Sequence, residues 1–294
     1  MGYFLRTFKL LPGAMLLLLF TPQLTLSAAI AVTLPPLAGL ITMLDTKAEI
    51  LCLLGNGSDP HHFQLTPRKI EAMMQSELLI RASKDDAGWP LPPHHAHELD
   101  LWPDIDHGWL NPAIVRQVLP RLSQTLIKLH PQRQAAIEAA LQDALDQTDS
   151  IEKAWRKALK PVQQAGVLMQ HPSWRGLMLS MGVPVLDVLE SGQHGHEYGP
   201  RQLEHALKTL NARPQAWMIA EHGHNNRALD WLQQHASHQT QRISLNGLGN
   251  CTQSWADLMR YNLNQINLDQ INLNPIKPNQ KNLIKSMAGS KHND

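Results

Sequence analysis

The feature that most constrains the fold is an alternation of short apolar segments with helical segments. Three apolar runs typical of buried strands occupy residues 29–34, 49–54 and 78–82. Two helical segments separate them, at residues 37–44 and 67–75, and Thr66-Pro67 is a typical helix start. Strand–helix units of this length favour a parallel sheet with right-handed crossovers.

The second half of the chain repeats this alternation without repeating the sequence. Apolar segments that predict strands lie at residues 167–169, 183–186, 216–220 and 243–245. Segments that predict helices lie at residues 173–181, 200–210, 225–234 and 253–266. We therefore expect an α/β fold with two small parallel-sheet lobes.

A long helical region separates the two blocks. Asn111-Pro112 begins it, His130-Pro131 interrupts it, and a second helix is predicted from about residue 131 to residue 159. Its apolar residues form one stripe and polar residues occupy the rest of its surface, which is typical of a long helix that connects two lobes. Residues 85–106 show no strand or helix pattern. The predicted organisation is an N-terminal lobe, a linking helix, a C-terminal lobe and a flexible tail, at residues 29–130, 131–160, 161–266 and 267–294.

The N-terminus has the order of a secretory signal. Arg6 and Lys9 precede an apolar run over residues 10–20, and small residues follow it. We predict a signal peptide at residues 1–28; a membrane anchor is the alternative, although the run is short for a membrane span. The mature protein is then exported and soluble.

The cysteine content excludes two classes of site. Cys52 and Cys251 are the two cysteines of the chain, so a cysteine-rich zinc motif and a disulfide framework are both excluded. An oxidising compartment permits the two to pair. Cys52 lies within the apolar run at residues 50–54, however, and we predict a buried free thiol.

Three histidines share a similar local setting. His61, His107 and His171 each follow an extended or loop-like segment and precede a helix start. Loops at strand ends are where α/β proteins gather ligand groups, and imidazole is a common zinc ligand. Their separations are too long for a finger motif, so spacing alone does not establish a site. The net charge of +1 argues against nucleic acid as a partner.

Longer motifs around these histidines resemble a known family. The matching segments are residues 31–37, Gly57-Ser58-Asp59-Pro60-His61-His62-Phe63, Asp106-His107-Gly108-Trp109-Leu110-Asn111-Pro112, the segment from His171 to Gly182-Val183, residues 197–203 and Ala220-Glu221. In this order they resemble the zinc-binding metal solute-binding proteins of ABC uptake transporters (cluster A-I). The resemblance implies two α/β lobes joined by a long rigid helix, with one metal in the cleft between them.

The resemblance also implies a ligand set. His61 and His107 of the first lobe, and His171 of the second, fall on the family's ligand histidines. Histidine rather than carboxylate at position 171 favours zinc over manganese. Many relatives carry an aspartate where this chain has Asn246, a poorer zinc ligand. The fourth ligand is therefore left open among five candidates, namely Asn246, Glu221, His222, His224 and water.

The remaining histidines have ordinary alternatives. His94, His95 and His97 occupy the region of the relatives' longer histidine-rich loop, and predict either a weak metal-collecting loop or a solvated one. His62 is interpreted first as a surface residue or an outer partner of a ligand, and His194 and His196, which flank Gly195, as part of a flexible connection.

The leading hypothesis is a periplasmic receptor that captures Zn²⁺ and delivers it to an ABC permease of the inner membrane. The resemblance implies no catalysis, and we expect a monomer. One alternative is a secreted zinc hydrolase with the same histidines, a water ligand and Glu221 as base. Others are an uptake receptor for another divalent metal such as Mn²⁺, and a metal-free relative that binds an organic ligand or acts as an adhesin.

Overall fold

The computed structural model describes residues 29–60, 63–89, 91, 95–190 and 199–273, with the backbone alone for 268–273. Within these residues the strands are β1 Ile30–Val32, β2 Ile50–Cys52, β3 Leu78–Arg81, β4 Glu98–Asp100, β5 Val167–Met169, β6 Val185–Val188, β7 Trp217–Glu221 and β8 Gln241–Leu245. The helices are α1 Pro35–Leu44, α2 Pro67–Met74, α3 Pro112–Leu129, α4 Gln134–Ala158, α5 Arg175–Ser180, α6 Pro200–Asn211, α7 Arg227–His235 and α8 Trp255–Leu273.

The first lobe is built on a parallel sheet in the order β2-β1-β3-β4. Ile30 of β1 pairs with Ile50 of β2 and with Leu78 of β3. All three residues of β1 are buried, as expected of a central strand in a parallel sheet covered on both faces. The prediction of a parallel sheet with helical crossovers is confirmed here.

Strand β4 was not predicted, because it lies in the region without a recognisable pattern. It is three residues long and has one apolar residue, Leu99, between two exposed acidic ones. Its partner is β3, where Arg81 forms an ion pair of 2.8 Å with Glu98 and another of 3.1 Å with Asp86. Ion pairs and backbone hydrogen bonds stabilise this edge strand. Neither interaction requires alternating apolar residues, so the strand has no recognisable hydrophobic pattern in the sequence.

The second lobe is built on another parallel sheet, in the order β6-β5-β7-β8. Strands β5 and β7 are fully buried. The register of β5 with β6 shifts between Val167 and Leu168, and β6 begins two residues later than the sequence pattern predicted. The prediction of a second parallel α/β lobe is confirmed.

The predicted long helix between the lobes is present as α4. It has 25 residues, or about 37 Å of helix. A 3₁₀ turn at Pro131–Arg133 precedes it, and its buried face includes Ile137, Ala144, Ile151 and Trp155. It packs against α1 and α3 of the first lobe and against α8. Helix α4 therefore contacts both the first and the last of the described helices.

Helix α8 follows the second sheet but returns to the first lobe. It packs against α1 and α4, and a Cβ added at Gly39 of α1 would lie 2.6 Å from the backbone N of Trp255. Glycine at position 39 thus permits a backbone contact between the two helices. The helix extends to Leu273, seven residues into the segment predicted as a tail. Residues 274–294 and the predicted signal peptide lie outside the described residues.

In the part of the chain that the structure describes, no helix combines the length and apolar character needed to cross a membrane.

Cys52 and Cys251 form a disulfide, so the prediction of a buried free thiol was wrong. The S–S distance is 2.07 Å and the Cα atoms are 6.2 Å apart. Cys52 is the last residue of β2, an outer strand of its sheet, and is only half-buried. Cys251 lies in the loop after β8, near Asn56, whose side-chain oxygen accepts a hydrogen bond from its backbone N–H. The disulfide therefore links the first lobe to the loop that leads into α8.

The disulfide closes a loop with a sequence separation of 199 residues, and its loss should lower the free energy of unfolding. The chain-entropy relation gives an upper value of about 5 kcal/mol for a loop of this length. We expect the double variant Cys52→Ser/Cys251→Ser to unfold at a lower urea concentration than the parent. Either single serine variant should match the double variant, and reduction of the parent should reproduce the effect. An unchanged urea midpoint would contradict the stabilising role.

Candidate metal centre

A small pocket lies between the lobes. Its lining residues come from both lobes and are Leu34, Pro60, Asp85, His107, Trp109, His171, Glu221, His224, Gly247 and Leu248. Most of them lie at or just beyond the carboxyl ends of strands. This is where open parallel sheets bind their ligands.

Two tryptophans fix the lobes against each other beside this pocket. The indole N–H of Trp109 donates to the carbonyl of Gly247 at 2.7 Å. The indole N–H of Trp255 donates to the carbonyl of Trp109 at 2.6 Å. Both rings are buried, so these bonds form away from water. The loop that carries His107 is thereby tied to the loop after β8.

His107 is held by a buried carboxylate of its own lobe. The backbone of His107 has φ 51 and ψ 36, a left-handed conformation, and its N–H donates to both oxygens of Asp85 at 3.0 and 3.1 Å. Its ring Nδ1 lies 3.4 Å from Asp85 Oδ1. The following Gly108 allows close packing, since a Cβ there would lie 2.6 Å from the Trp102 ring. Asp85 therefore fixes both the backbone and the ring of His107.

His171 is held in the same way in the second lobe. It follows β5, and its Nδ1 lies 3.4 Å from Glu221 Oε2. Ser173 donates its hydroxyl hydrogen to the same Glu221 oxygen. The side chains of His171 and Glu221 are 4% and 7% exposed. A carboxylate facing Nδ1 fixes the ring so that Nε2 faces away from it.

Burial affects the two carboxylates differently. Desolvation raises the pKa of Asp85 to about 7, although the hydrogen bond from the His107 backbone opposes this. Desolvation also acts to raise the pKa of Glu221, but hydrogen bonding to His171 and attraction to His171 and His224 lower it overall. Glu221 is thus an ionised partner for His171, whereas Asp85 titrates near neutral pH.

A further histidine, His224, lies beside His171. Their ring centres are 4.5 Å apart, and the Nδ1 of His224 is 3.5 Å from Glu190 Oε2. Desolvation acts to lower the pKa of His224, but Glu190 and Glu221 raise it overall. The site therefore contains three imidazoles that each face a carboxylate through Nδ1, namely His107, His171 and His224.

The spacing of these rings suits a shared metal. Two imidazoles bound through nitrogen to one tetrahedral Zn²⁺ have ring centres about 5 Å apart, given zinc–nitrogen distances of about 2 Å. The ring centres of His107 and His171 are 5.4 Å apart, and those of His171 and His224 are 4.5 Å apart. Among the described residues, the ligand-type atoms of His171, Glu190 and His224 lie within 4.8 Å of one another, and His107 lines the same pocket from the first lobe.

The structure brings together two of the three predicted ligands. His107 and His171 meet across the pocket, whereas His61 lies outside the described residues. Its neighbour Pro60 lines the pocket, and the Pro60 carbonyl accepts a hydrogen bond of 2.9 Å from the Trp89 indole. Sequence analysis missed the roles of Asp85 and Glu190, since an isolated acidic residue in a loop has no distinguishing pattern.

The candidates for the fourth ligand lie in different settings. His224 and Glu221 line the pocket, while Asn246 does not line it and His222 is exposed. The other histidines remain apart from the pocket where they are described: His95 hydrogen-bonds to Ser76 and to the carbonyl of His97. His62, His94, His194 and His196 lie outside the described residues.

Gly247 leaves room for the Glu221 carboxylate, and Gly247→Ala should displace it. A Cβ there would lie 2.5 Å from Glu221 Oε1, while Ser173 and His171 hold the other oxygen. We expect a loss of about 1–3 kcal/mol in the free energy of unfolding, with weaker metal binding, because His171 loses its carboxylate. Chemical denaturation and metal titration measure the two effects.

Gly176→Ala is the matched control. Gly176 lies in α5, and a Cβ there would meet nothing within 4 Å. Alanine there should be neutral or stabilising by about 0.5–1 kcal/mol. If Gly247→Ala behaved like this control, Gly247 would not be positioning Glu221.

Similar proteins are zinc and metal receptors. Residues 85–268, well over half of the chain, match the family model described as ZnuA, zinc-uptake complex component A, periplasmic. The high-affinity zinc uptake system protein ZnuA of Yersinia pestis is 25% identical over 263 residues, which cover 70% of this chain and 83% of that protein.

Solved structures share the fold. The periplasmic zinc-binding protein TroA of Treponema pallidum has a TM-score of 0.69 at 14% identity, covering 82% of this chain and 98% of that one. FpvC of Pseudomonas aeruginosa, in complex with Mn²⁺, has a TM-score of 0.67 at 16% identity, covering 83% and 99%. The chain belongs to the ZnuA family of periplasmic metal-binding proteins, which are solute-binding receptors that work with ABC transporter permeases and are not enzymes.

Proposed function

We propose that this protein captures Zn²⁺ in the periplasm through His61, His107 and His171, and delivers it to an ABC-type permease for zinc uptake. The observation that carries the proposal is the meeting of His107 and His171 across the pocket. They come from different lobes, and their ring centres are 5.4 Å apart. The metal is cargo, held between two lobes. Residues 1–28 serve as the export signal, and the exported receptor acts as a monomer.

The carboxylates behind the histidines support metal binding. Histidine ligands commonly donate the N–H that faces away from the metal to a carboxylate, which fixes the ring and strengthens the ligand. Asp85 and Glu221 occupy this place behind His107 and His171, each at 3.4 Å from Nδ1. The pairing directs Nε2 of each ring away from its carboxylate.

His61 completes the set from the first lobe. It directly follows Pro60, whose backbone is held by Trp89 and which lines the pocket. His61 is therefore the next residue in the sequence after one that lines the pocket. Its position is also the one that the family resemblance assigns to a ligand.

An imidazole-rich ligand set favours zinc as the cargo. Imidazole suits Zn²⁺, whereas Mn²⁺ prefers oxygen ligands. Solved relatives of the same fold hold different metals, with Mn²⁺ or Ni²⁺ in FpvC and zinc in a ZnuA variant. The choice for this chain therefore rests on its own ligands, and an Mn²⁺ receptor is the remaining alternative.

A hydrolase is disfavoured by the position of Glu221. As a general base it would have to face a metal-bound water. Its Oε2 instead accepts from Ser173 and faces His171 Nδ1, and its Oε1 is closely packed against Gly247. Glu221 therefore holds the ligand His171, which agrees with a receptor.

Loss of any one ligand should weaken zinc binding. We expect His61→Ala, His107→Ala and His171→Ala each to bind Zn²⁺ at least about 100-fold more weakly than the parent, because removal of a ligand costs more than removal of its outer partner. Competition titration with a chelator measures the affinity, and metal analysis gives the stoichiometry. The control is His205→Ala, whose side chain is 74% exposed on α6. Parent-like zinc binding by all three variants would refute the site, and a parent preference for Mn²⁺ would refute the choice of metal.

Zinc affinity should fall as the pH falls. Each ligand histidine must be neutral to bind the metal, so protons compete with Zn²⁺ for the imidazole nitrogens as the pH becomes acidic. We expect the affinity to decrease more than about tenfold between about pH 7 and pH 5.5, with proton release on binding. Calorimetry in buffers of different ionisation enthalpy measures both quantities. A pH-independent affinity would point to ligands other than histidine.

A further inference from the structure

We propose that His224 is the fourth zinc ligand of this protein, positioned by Glu190, in place of the aspartate that many relatives carry at the position of Asn246. The inference rests on the proposed zinc site and specifies how its coordination is completed. The juxtaposition that carries it is the His224 ring, 4.5 Å from the His171 ring on the pocket wall.

The side chain of Asn246 forms hydrogen bonds within its own loop. Its side-chain oxygen accepts hydrogen bonds from the backbone N–H groups of Leu248 and Gly249, at 3.1 and 2.9 Å. Its backbone N–H and carbonyl pair with the side chain of Asn262 at 2.7 and 2.9 Å. Asn246 lines an adjoining opening that shares Pro60, His224 and Leu248 with the pocket of His107 and His171. Because its side-chain oxygen already accepts two backbone hydrogen bonds, we do not assign it as a ligand.

The loop after β7 brings His224 to the pocket. Gly223 has φ +84, a left-handed conformation that glycine adopts without steric cost and that turns the chain back towards the pocket. The side chain of Asn226 then fastens the loop: its amide donates to the carbonyls of Glu221 and His224 at 3.1 and 3.0 Å. Its oxygen accepts from the Glu221 N–H at 3.2 Å. The loop thus presents Glu221 and His224 on the same side of the site.

Glu190 faces the Nδ1 atom of His224, just as Glu221 faces the Nδ1 atom of His171. Its Oε2 lies 3.5 Å from His224 Nδ1, and the two side chains are 15% and 14% exposed. Glu190 does not line the pocket, whereas His224 does. The ligand-type atoms of His171, Glu190 and His224 lie within 4.8 Å of one another, which is close enough for one ion. Since the Glu190 oxygen faces His224 Nδ1 and Glu190 does not line the pocket, we assign Glu190 as the positioning residue and His224 Nε2 as the ligand.

Four imidazoles would make a closed site. Structural zinc sites have four protein ligands, whereas catalytic ones keep a position for water. Completion by His224 leaves no open position, which suits an ion that is carried rather than used in chemistry. It also removes the oxygen ligand that Mn²⁺ favours. His224 is then a determinant of metal choice as well as of affinity.

The first test compares His224→Ala with His222→Ala in the full chain. We expect His224→Ala to weaken Zn²⁺ binding at least about 100-fold, because removal of a ligand costs more than removal of its outer partner. His222 is exposed on the same loop and does not line the pocket, so its alanine variant should retain parent affinity. Circular dichroism and urea unfolding of both variants establish that the fold is kept.

The second test observes the ligand directly. In the cadmium-loaded protein with nitrogen-labelled histidine, the NMR signal of His224 Nε2 should show coupling to cadmium. Glu190→Gln retains a hydrogen-bond acceptor and should keep this coupling with a modest loss of affinity. Glu190→Ala should lose about 10–100-fold in zinc affinity, as expected for an outer partner.

The third test concerns metal choice. We expect His224→Asp, which restores a carboxylate, to shift the ratio of Zn²⁺ to Mn²⁺ affinity towards Mn²⁺ by at least about tenfold. If the parent binds one zinc, but His224→Ala binds it equally well and His224 shows no cadmium coupling, the inference fails and the zinc receptor stands. A carboxylate oxygen of Glu190 found in the zinc coordination shell would overturn it too. If the parent binds no zinc, the proposed function itself fails.

Discussion

The buried contact between the Trp109 loop and the loop after β8 is the constraint on which the rest of the site depends. Trp109 donates to Gly247, and Trp255 donates to Trp109, so two indoles join segments more than 130 residues apart. Around them, the main hydrophobic core includes residues of both sheets, from Ile30 to Ile243. Since the lobes share this core, His107 and His171 are held at a set separation, and a small pocket suffices to hold an ion.

The fold could be predicted from local sequence patterns because each strand–helix unit is formed by one continuous segment of the chain. Each strand–helix unit is about twenty residues long and covered on both faces, so the sequence shows continuous apolar runs between helical stripes. The family resemblance implied that His107 and His171 lie on the two sides of the cleft, and the structure places both at the pocket between the lobes. Their role as metal ligands remains a proposal. It depends on His61, which lies outside the described residues.

The features that were missed are those set by distant contacts. Cys52 lies in an apolar run, which favours a buried thiol, yet its partner is Cys251, and only the folded arrangement of the loops brings them together. Asp85 likewise contacts His107, and Glu190 contacts His224, between separate loops. No periodic pattern in the sequence indicates either contact. Strand β4 is set by backbone pairing and by Arg81 rather than by an apolar pattern. Long-range pairing of this kind leaves no trace in a single sequence.

The disulfide gives the polypeptide a particular topology. Between Cys52 and Cys251 the chain forms a covalent ring that contains α4 and most of both sheets. The two arms outside the ring carry α1 and α8, and these helices pack against each other. A single proteolytic cut anywhere within the ring, even in the connecting helix, would leave one covalently joined molecule. The two lobes, and with them the two walls of the pocket, would separate only after such a cut and reduction together.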